Sequence, residues 1–375
     1  MIRMEFIIYT YMAACFTLMV FNFGYMGRSG FKRRGDKRKQ RNWRNEILQQ
    51  TQRLAAGEGL HPKHTRRMAK KLTKPDTLIA YAQALEEVRT EFPEAAEAYI
   101  YADYTVFQEL AFQYSHRESM ERAFYADFIR RFPPCKGEYK QIVDILISYM
   151  PNSTIHCREN VLCALYALGH IHAVENALQL LNDNGWFHHQ KLISDDLAGF
   201  AGDKAELAAS LWENYGKWNS YLILSVVHFI TTFSPDYKEV FLPILQNQSA
   251  DMELRLAVMR YYRRYAHEPV LPLLLDYLAD EEGDENLSIV AAVVLEGYPG
   301  SETTDALIRA LSSRNWHVRY NASSTLVHMK THEDELRKVL RSGDRYAKEI
   351  LTYRLEQEGG LYAGLLLEEK EAVPV

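Results

Sequence analysis

Three segments in the second half of the chain carry apolar residues at matching positions. They are Leu254–Tyr262, Leu287–Leu295 and Val318–Leu326, and their first residues lie 33 and 31 residues apart. The first, fifth and ninth residues of each segment are apolar, which is the spacing of one face of an α-helix. A further apolar run separates each segment from the next, and such a period is typical of stacked helical hairpins. The pattern predicts an all-α protein with the architecture of an α-solenoid.

The last of these repeats resembles a known motif. Val318, Arg319, Ala322 and Leu326 follow an apolar run at Asp305–Leu311, and this arrangement resembles the short bacterial form of the HEAT repeat. The resemblance implies a solenoid of helical hairpins over residues 75–360 that presents a surface for holding a partner. A fold of this kind does not by itself identify the partner.

The repeat register extends toward the N-terminus. Arg255 and Arg158 fall at the position that Arg319 occupies in the last repeat. The copy expected near His189–Phe200 is degenerate, so the number of repeats there stays open. Earlier copies on the same period are Tyr221–Ser225, Cys157–Leu165 and Phe124–Phe128.

A different pattern precedes the repeats. Phe6–Gly27 contains 22 residues and no charge, and at about 1.5 Å per residue a helix of this length spans the hydrocarbon core of a bilayer. We therefore expect residues 1–27 to contain one transmembrane helix. A cleaved signal peptide would end in small residues before a polar sequence. The lipoprotein-like Met12–Cys15 is followed by further apolar residues, and a buried core helix would not adjoin so many cations.

The charge of the chain is unevenly distributed. Residues 28–74 hold 16 Lys and Arg against three Asp and Glu, whereas residues 75–375 hold 27 against 45. By the positive-inside rule this basic stretch places the N-terminus outside and the repeats in the cytoplasm. We expect residues 28–74 to form a juxtamembrane stalk and residues 361–375 to form a C-terminal cap and tail. The acidic repeats argue against binding to nucleic acid.

The basic stretch has two interpretations. Its side chains can bind anionic membrane lipids, or they can serve only to stop transfer of the chain across the membrane. The candidates for lipid contact are Lys32, Arg33, Arg34, Lys37, Arg38, Lys39 and Arg41.

The sequence offers little catalytic chemistry. It contains no phosphate-binding glycine loop, nucleophile elbow or cysteine–histidine pair. His267–Glu268 and His332–Glu333 resemble the iron-binding His–Glu pairs of deoxyhypusine hydroxylases, which are HEAT-repeat enzymes. Only two such pairs occur, and both fall where one hairpin meets the next. We therefore expect no metal, no cofactor and no enzymatic activity.

The densest basic and aromatic cluster among the repeats is Arg260–Tyr265. It lies at the end of a second repeat helix, and aromatic and arginine residues are enriched at protein interfaces. An alternative is that its tyrosines fill the space between hairpins. The candidates for protein contact are Arg260, Tyr261, Arg263, Arg264, Tyr265, Arg319 and Tyr320.

These patterns together predict a membrane-anchored cytoplasmic scaffold that binds a membrane-embedded or membrane-proximal protein. Membrane-tethered HEAT proteins of bacteria suggest one concrete role, an accessory subunit of a membrane glycosyltransferase that makes surface polysaccharide. Two alternatives stay open. One is a metal-dependent enzyme on a HEAT scaffold, and the other is a peripheral sensor of anionic lipids.

Overall fold

Helices make up the structure, a computed structural model that describes residues 35–134, 140–280 and 282–358 together with 362, 364 and 365. Over these residues there are 20 α-helices and no strand, so the all-α prediction is confirmed for the described part of the chain. The helices divide into two units. One holds the chain up to Leu181 and Gly199–Asp203, and the other holds Asn182–Ala198 and the chain from Lys204 onward.

The first unit begins with helical residues 35–55, which we call α1. Its other helices follow with short connections, and its boundary falls near the end of α9. They are α2 (Pro62–Lys71), α3 (Pro75–Glu91), α4 (Pro93–Ala102), α5 (Tyr104–Ser115), α6 (Ser119–Arg131), α7 (Lys140–Ile147), α8 (Ile155–Leu168) and α9 (Ile171–Asp183).

Helices α1 and α2 are integral to the first unit. Trp43 and Ile47 of α1 and Met68 of α2 are buried, and the Trp43 ring packs edge-on against Tyr81 of α3 at 5.3 Å between centroids. The expectation of a stalk over residues 28–74 is therefore wrong for residues 35–74. The apolar residues of this polar stretch are few, but Trp43 packs on Tyr81 of α3 and Met68 accepts a hydrogen bond from the Tyr99 hydroxyl of α4, and these contacts dock both helices.

The second unit is a succession of helical hairpins. Each even-numbered helix from α10 to α18 packs on the next even-numbered helix, and each even-numbered helix from α12 to α20 pairs with the odd-numbered helix before it. This arrangement is compatible with an α-solenoid. The helices are α10 (Gln190–Ala198), α11 (Lys204–Glu213), α12 (Ser220–Phe233), α13 (Lys238–Gln246), α14 (Met252–Arg264), α15 (Leu271–Ala279), α16 (Glu285–Val294), α17 (Ser301–Ala310), α18 (Trp316–His328), α19 (Glu333–Leu340) and α20 (Arg345–Glu358).

Each even-numbered helix from α12 to α20 begins at an Asn or Asp that caps it. In every case the side-chain oxygen accepts a hydrogen bond from a backbone N–H of the first turn, at 2.8–3.2 Å. These N–H groups have no partner inside the helix, so a capping side chain fixes where the helix starts. The capping residues are Asn219, Asp251, Asp284, Asn315 and Asp344.

The apolar positions that defined the repeat form the core of these hairpins. Of the nine predicted positions only Leu254 is partly exposed, and the others are buried. The segments identified from the period all lie on even-numbered helices, and the degenerate copy near residue 190 is the short helix α10. The repeat period therefore located a helix even near residue 190, where the apolar pattern is degenerate.

No helix within the described residues is both long and apolar enough to cross a membrane. The predicted transmembrane segment Phe6–Gly27 lies outside those residues, as do Lys32, Arg33 and Arg34. Of the predicted C-terminal cap, Tyr362 and Leu365 are described, and both are buried.

Candidate functional site

A group of aromatic and arginine side chains on α18 and α20 combines exposed rings with the partly exposed Arg319 and Tyr320 and the buried Arg354. We call it the aromatic–arginine surface. Three of its rings are widely open to solvent, Trp316 at 50%, Tyr346 at 65% and Tyr353 at 49%. Its members are Trp316, Arg319, Tyr320, Tyr346, Tyr353 and Arg354.

Ring stacking and cation–π contacts link five of these side chains in two sets, one of Trp316, Tyr320 and Arg354 and the other of Arg319 and Tyr346. Trp316 stacks on Tyr320 at 5.1 Å with an interplanar angle of 21°. The Arg319 guanidinium lies 5.3 Å from the centre of the Tyr346 ring, and Arg354 lies 5.3 Å from the centre of the Tyr320 ring. These five side chains are therefore held in place before any partner binds, and the Tyr353 hydroxyl accepts a hydrogen bond from Gln357 at 2.7 Å.

Arg319 is also tied to its own loop. Its Nη1 donates to the carbonyl oxygens of Ser313 and Arg314 at 2.6 and 3.1 Å. In the first unit Arg158 makes the equivalent bond, donating to Ser153 at 2.6 Å. This arginine of the repeat therefore closes the turn before its helix, which leaves the flat face of Arg319 to pack on Tyr346.

A row of ionisable side chains in close contact runs from α14 to α20, and we call it the charge ladder. Arg263 Nη2 lies 2.5 Å from Glu296 Oε2, and His328 Nδ1 lies 3.7 Å from the same oxygen. His328 Nε2 lies 3.6 Å from Glu358 Oε1, which Arg354 approaches at 3.5 Å. The ladder thereby joins Arg263 to the aromatic–arginine surface through consecutive hairpins.

The cluster Arg260–Tyr265 separates into core and surface. Tyr261 is fully buried, where its ring packs edge-on against Phe241 at 4.9 Å and its hydroxyl accepts a bond from the Tyr237 N–H. Tyr261 therefore cannot touch a partner in this conformation, and its expected contact role is corrected to a role in the core. Tyr265 is half-buried against Tyr261.

The arginines of that cluster are exposed. Arg263 belongs to the charge ladder, and the Arg264 guanidinium lies over the Tyr265 ring at 5.5 Å. Arg260 lies near His228 of α12. The pKa of the His228 imidazole is lowered mainly by burial and also by the positive charge of Arg260.

The two His–Glu pairs serve local structure. His267 Nε2 lies 3.3 Å from Glu239, and its ring stacks on Tyr262. His332 caps α19 by accepting the Asp334 N–H at its Nδ1. Across the described residues no three His, Cys, Asp or Glu side chains come together in a way that could hold a metal ion.

The basic residues expected to contact lipid are only partly described. Lys37, Arg38 and Arg41 are exposed on α1, and Lys39 is 3.3 Å from Asp36. The structure adds a second basic helix beside them, α2, whose sequence contains five Lys and Arg and no acidic residue.

A buried polar cluster lies beneath α1 and α2. His64 Nδ1 is 2.9 Å from Glu46 Oε1, and its Nε2 is 2.7 Å from the Tyr99 hydroxyl. Asp103 lies alongside, fully buried, with its Oδ2 3.9 Å from His64 Nε2. Neither carboxylate oxygen of Asp103 has a hydrogen-bond partner of good geometry among the described residues. Burial raises the pKa of Asp103 to about 6, and the nearby His64 opposes that rise.

Sequence reasoning missed the partners of Arg263. Glu296, His328 and Glu358 follow it at spacings of 33, 32 and 30 residues, so the repeat period that located the core also contained the ladder. The sequence prediction aligned only the apolar positions of the repeats, so these charged positions were missed. The sequence did not indicate that Trp316, Tyr346 and Tyr353 would all be exposed, because their exposure depends on how α18 and α20 pack together.

Comparison of the chain with models of known protein families and with curated proteins finds no match.

Proposed function

We propose that this protein is a membrane-anchored interaction platform, a HEAT-like α-solenoid that binds a membrane-proximal protein through the aromatic–arginine surface. The observation that carries the proposal is the exposure of Trp316, Tyr346 and Tyr353 on the adjacent helices α18 and α20, which also carry Arg319 and Arg354. Tryptophan, tyrosine and arginine are the residues most enriched among the hot spots of protein interfaces.

The geometry of this surface favours tight recognition. Trp316, Tyr320 and Arg354 are already held by stacking and by hydrogen bonds, so a partner would not have to immobilise them on binding. Preorganisation of this kind reduces the entropic cost of association. The neighbouring charge ladder adds polar groups at the rim, where they contribute to specificity more than to affinity.

The membrane part of the proposal rests on the sequence. The uncharged run Phe6–Gly27 has the length of a membrane-spanning helix, and the basic residues after it favour a cytoplasmic location for the helical units. Confinement to the bilayer would raise the effective concentration of the platform toward partners in the same membrane.

Site-specific photocrosslinking in native membranes tests the proposal. A photoreactive amino acid replaces Tyr346 in the full chain, and a control chain carries it at Tyr101, which is equally exposed but lies on α4 of the first unit. We expect a membrane protein to be captured at position 346 and not at 101. Capture of the same neighbours at both positions, or of none at 346, contradicts the proposal.

A second arm uses Trp316→Ala in the chain that carries the crosslinker at position 346. Removing the indole should lower the yield of the specific adduct at least tenfold, because a central aromatic contact at an interface is commonly worth about 2 kcal/mol or more. Circular dichroism and thermal unfolding of the variant check that the fold is retained. An unchanged adduct yield contradicts the location of the surface.

A further inference from the structure

After Pro62, every exposed position of helix α2 carries a basic side chain. Its buried side is formed by His64 and Met68, with Leu72 just beyond its end. The opposite side carries only Lys and Arg among its charged residues. They are Lys63, Arg66, Arg67, Lys70 and Lys71, and Lys74 follows the helix.

Most of these cations are not neutralised. Within the described residues Arg67 pairs with Glu46 at 3.2 Å, whereas Arg66, Lys70, Lys71 and Lys74 have no carboxylate within ion-pair distance. On α1, by contrast, Arg44 lies 2.7 Å from Glu91. A row of exposed cations without counter-charges repels itself, and it is stabilised when an anionic surface covers it.

Helices α1 and α2 run antiparallel. The His61 N–H donates to Gln50 Oε1 at 2.9 Å, and the Arg67 guanidinium lies 5.2 Å from the centre of the Trp43 ring. Residues later in α2 therefore lie beside residues earlier in α1. The antiparallel register directs the end of α2 and the start of α1 toward the same end of the pair.

We infer that the start of α1 and the exposed face of α2 form one basic surface that binds the anionic lipid headgroups of the bilayer. The surface comprises Lys37, Arg38 and Arg41 on α1 with Arg66, Lys70, Lys71 and Lys74 on or after α2. The inference rests on the proposed membrane anchoring, because Phe6–Gly27 ends only a few residues before α1. It assigns to α2 a role in docking the first unit onto the membrane.

Charge complementarity favours a bilayer over a nucleic acid. A bilayer is flat and would meet this end of the hairpin alone, where each cation near an anionic leaflet adds to the attraction. A nucleic acid extends along a protein surface, and residues 75–375 carry a strong excess of acidic residues that would repel its phosphates.

The test uses the full chain in nanodiscs made of phosphatidylcholine alone or with added phosphatidylglycerol. The four native cysteines are replaced by alanine, a donor fluorophore is attached at Thr65→Cys on α2, and the lipid headgroups carry the acceptor. We expect energy transfer to be higher in the anionic discs. It should fall on the order of tenfold toward the neutral-disc level at about 1 M salt, where charges are screened over roughly 3 Å.

Two charge variants make the result specific. Changing Arg66, Lys70, Lys71 and Lys74 to Gln should abolish the response to phosphatidylglycerol. The matched control changes four exposed basic residues of the second unit to Gln, and it should keep the full response because those residues lie outside the basic surface. The control positions are Arg309, Arg314, Lys330 and Arg341.

The outcomes separate this inference from the proposed function. A chain that inserts into nanodiscs but whose α2 donor ignores lipid charge contradicts the inference and leaves the anchoring in place. A chain that fails to insert, but whose α2 still moves to anionic headgroups, supports the inference and contradicts the anchoring. Binding of an RNA oligonucleotide by the solubilised chain, with no response to lipid charge, contradicts the inference in favour of nucleic acid.

Discussion

Single side chains decide whether a repeat position belongs to the core or to a surface. Arg158 and Arg319 occupy the same repeat position and both close the preceding turn through backbone carbonyls. Arg255, at that position in another hairpin, is buried and bonds the Tyr277 hydroxyl instead. The residue type recurs because a long cation can reach several acceptors, and the local packing selects which one.

Tyr261 and Trp316 should respond differently to truncation. Tyr261→Ala leaves a cavity in the core and should lower the free energy of unfolding by roughly 3–5 kcal/mol, as for other large buried side chains. Trp316→Ala removes a half-exposed ring and should cost about 1 kcal/mol or less. Chemical denaturation of the two variants measures both effects.

The two variants should affect partner binding in the opposite order to their effects on stability. Crosslinking at position 346 should be lost in Trp316→Ala, and it should be retained in Tyr261→Ala under conditions where that variant is folded. A Trp316→Ala chain that unfolds as readily as Tyr261→Ala would show that the indole belongs to the core.

Asp103 is a buried acid whose ionisation opposes folding. Its pKa in the folded chain is raised from 3.8 to about 6, mainly by burial. The folded state therefore holds the proton more tightly than the unfolded state does. The stabilising effect of that proton is present at about pH 4 and is lost as the pH rises through about 6.

Asp103→Asn should abolish this pH dependence. The amide mimics the protonated acid, so the variant should gain up to roughly 3 kcal/mol in the free energy of unfolding at pH 7.5 and little at pH 4. Denaturation of both proteins across this pH range provides the measurement. Asp144→Asn, at an exposed site of the same unit, is the control and should change stability by less than about 0.5 kcal/mol.

At the scale of elements, capping residues as well as core residues mark where each repeat helix begins. Asp251 accepts the Leu254 N–H at 3.0 Å and thereby starts α14. The same type of bond recurs at the start of α12, α16, α18 and α20, so each hairpin carries its own start signal.

Removing one cap should weaken its hairpin by a modest amount. Asp251→Ala should lower the free energy of unfolding by about 1 kcal/mol, since the first-turn N–H loses its partner. Asp251→Ser keeps a capping oxygen and should cost only a few tenths of that. Equal losses for both variants, measured by thermal or chemical unfolding, would mean that the cap does not define the start of α14.

At the scale of the whole molecule, the distribution of charge gives a prediction about topology. The proposed orientation places the second unit on the cytoplasmic side. A cysteine introduced at Tyr346, in a chain without its native cysteines, should react with a membrane-impermeant maleimide in inverted vesicles and remain unreacted in right-side-out vesicles. Reaction in the right-side-out vesicles alone would place the helical units outside the cell.

The repeat region was more predictable than the N-terminal region for a physical reason. Val258, Ala291 and Ala322 occupy the same position of successive repeats because neighbouring hairpins leave the same small buried site at each. The packing can therefore be predicted from the local sequence. Trp43 and Ile47 stand alone in a polar stretch, and nothing near them in sequence shows that Tyr81 lies opposite. The predicted stalk was wrong over residues 35–74 for that reason.

The sequence by itself determined the helical class, the repeat register and the uneven charge, because each depends on residues close together along the chain or on a fixed period. Tertiary structure decided which side chains meet. It buried Tyr261, opened Trp316 to solvent, and aligned the ladder from Arg263 to Glu358. Contacts between residues 30 or more positions apart depend on how each hairpin packs on the next, which no single stretch of sequence specifies.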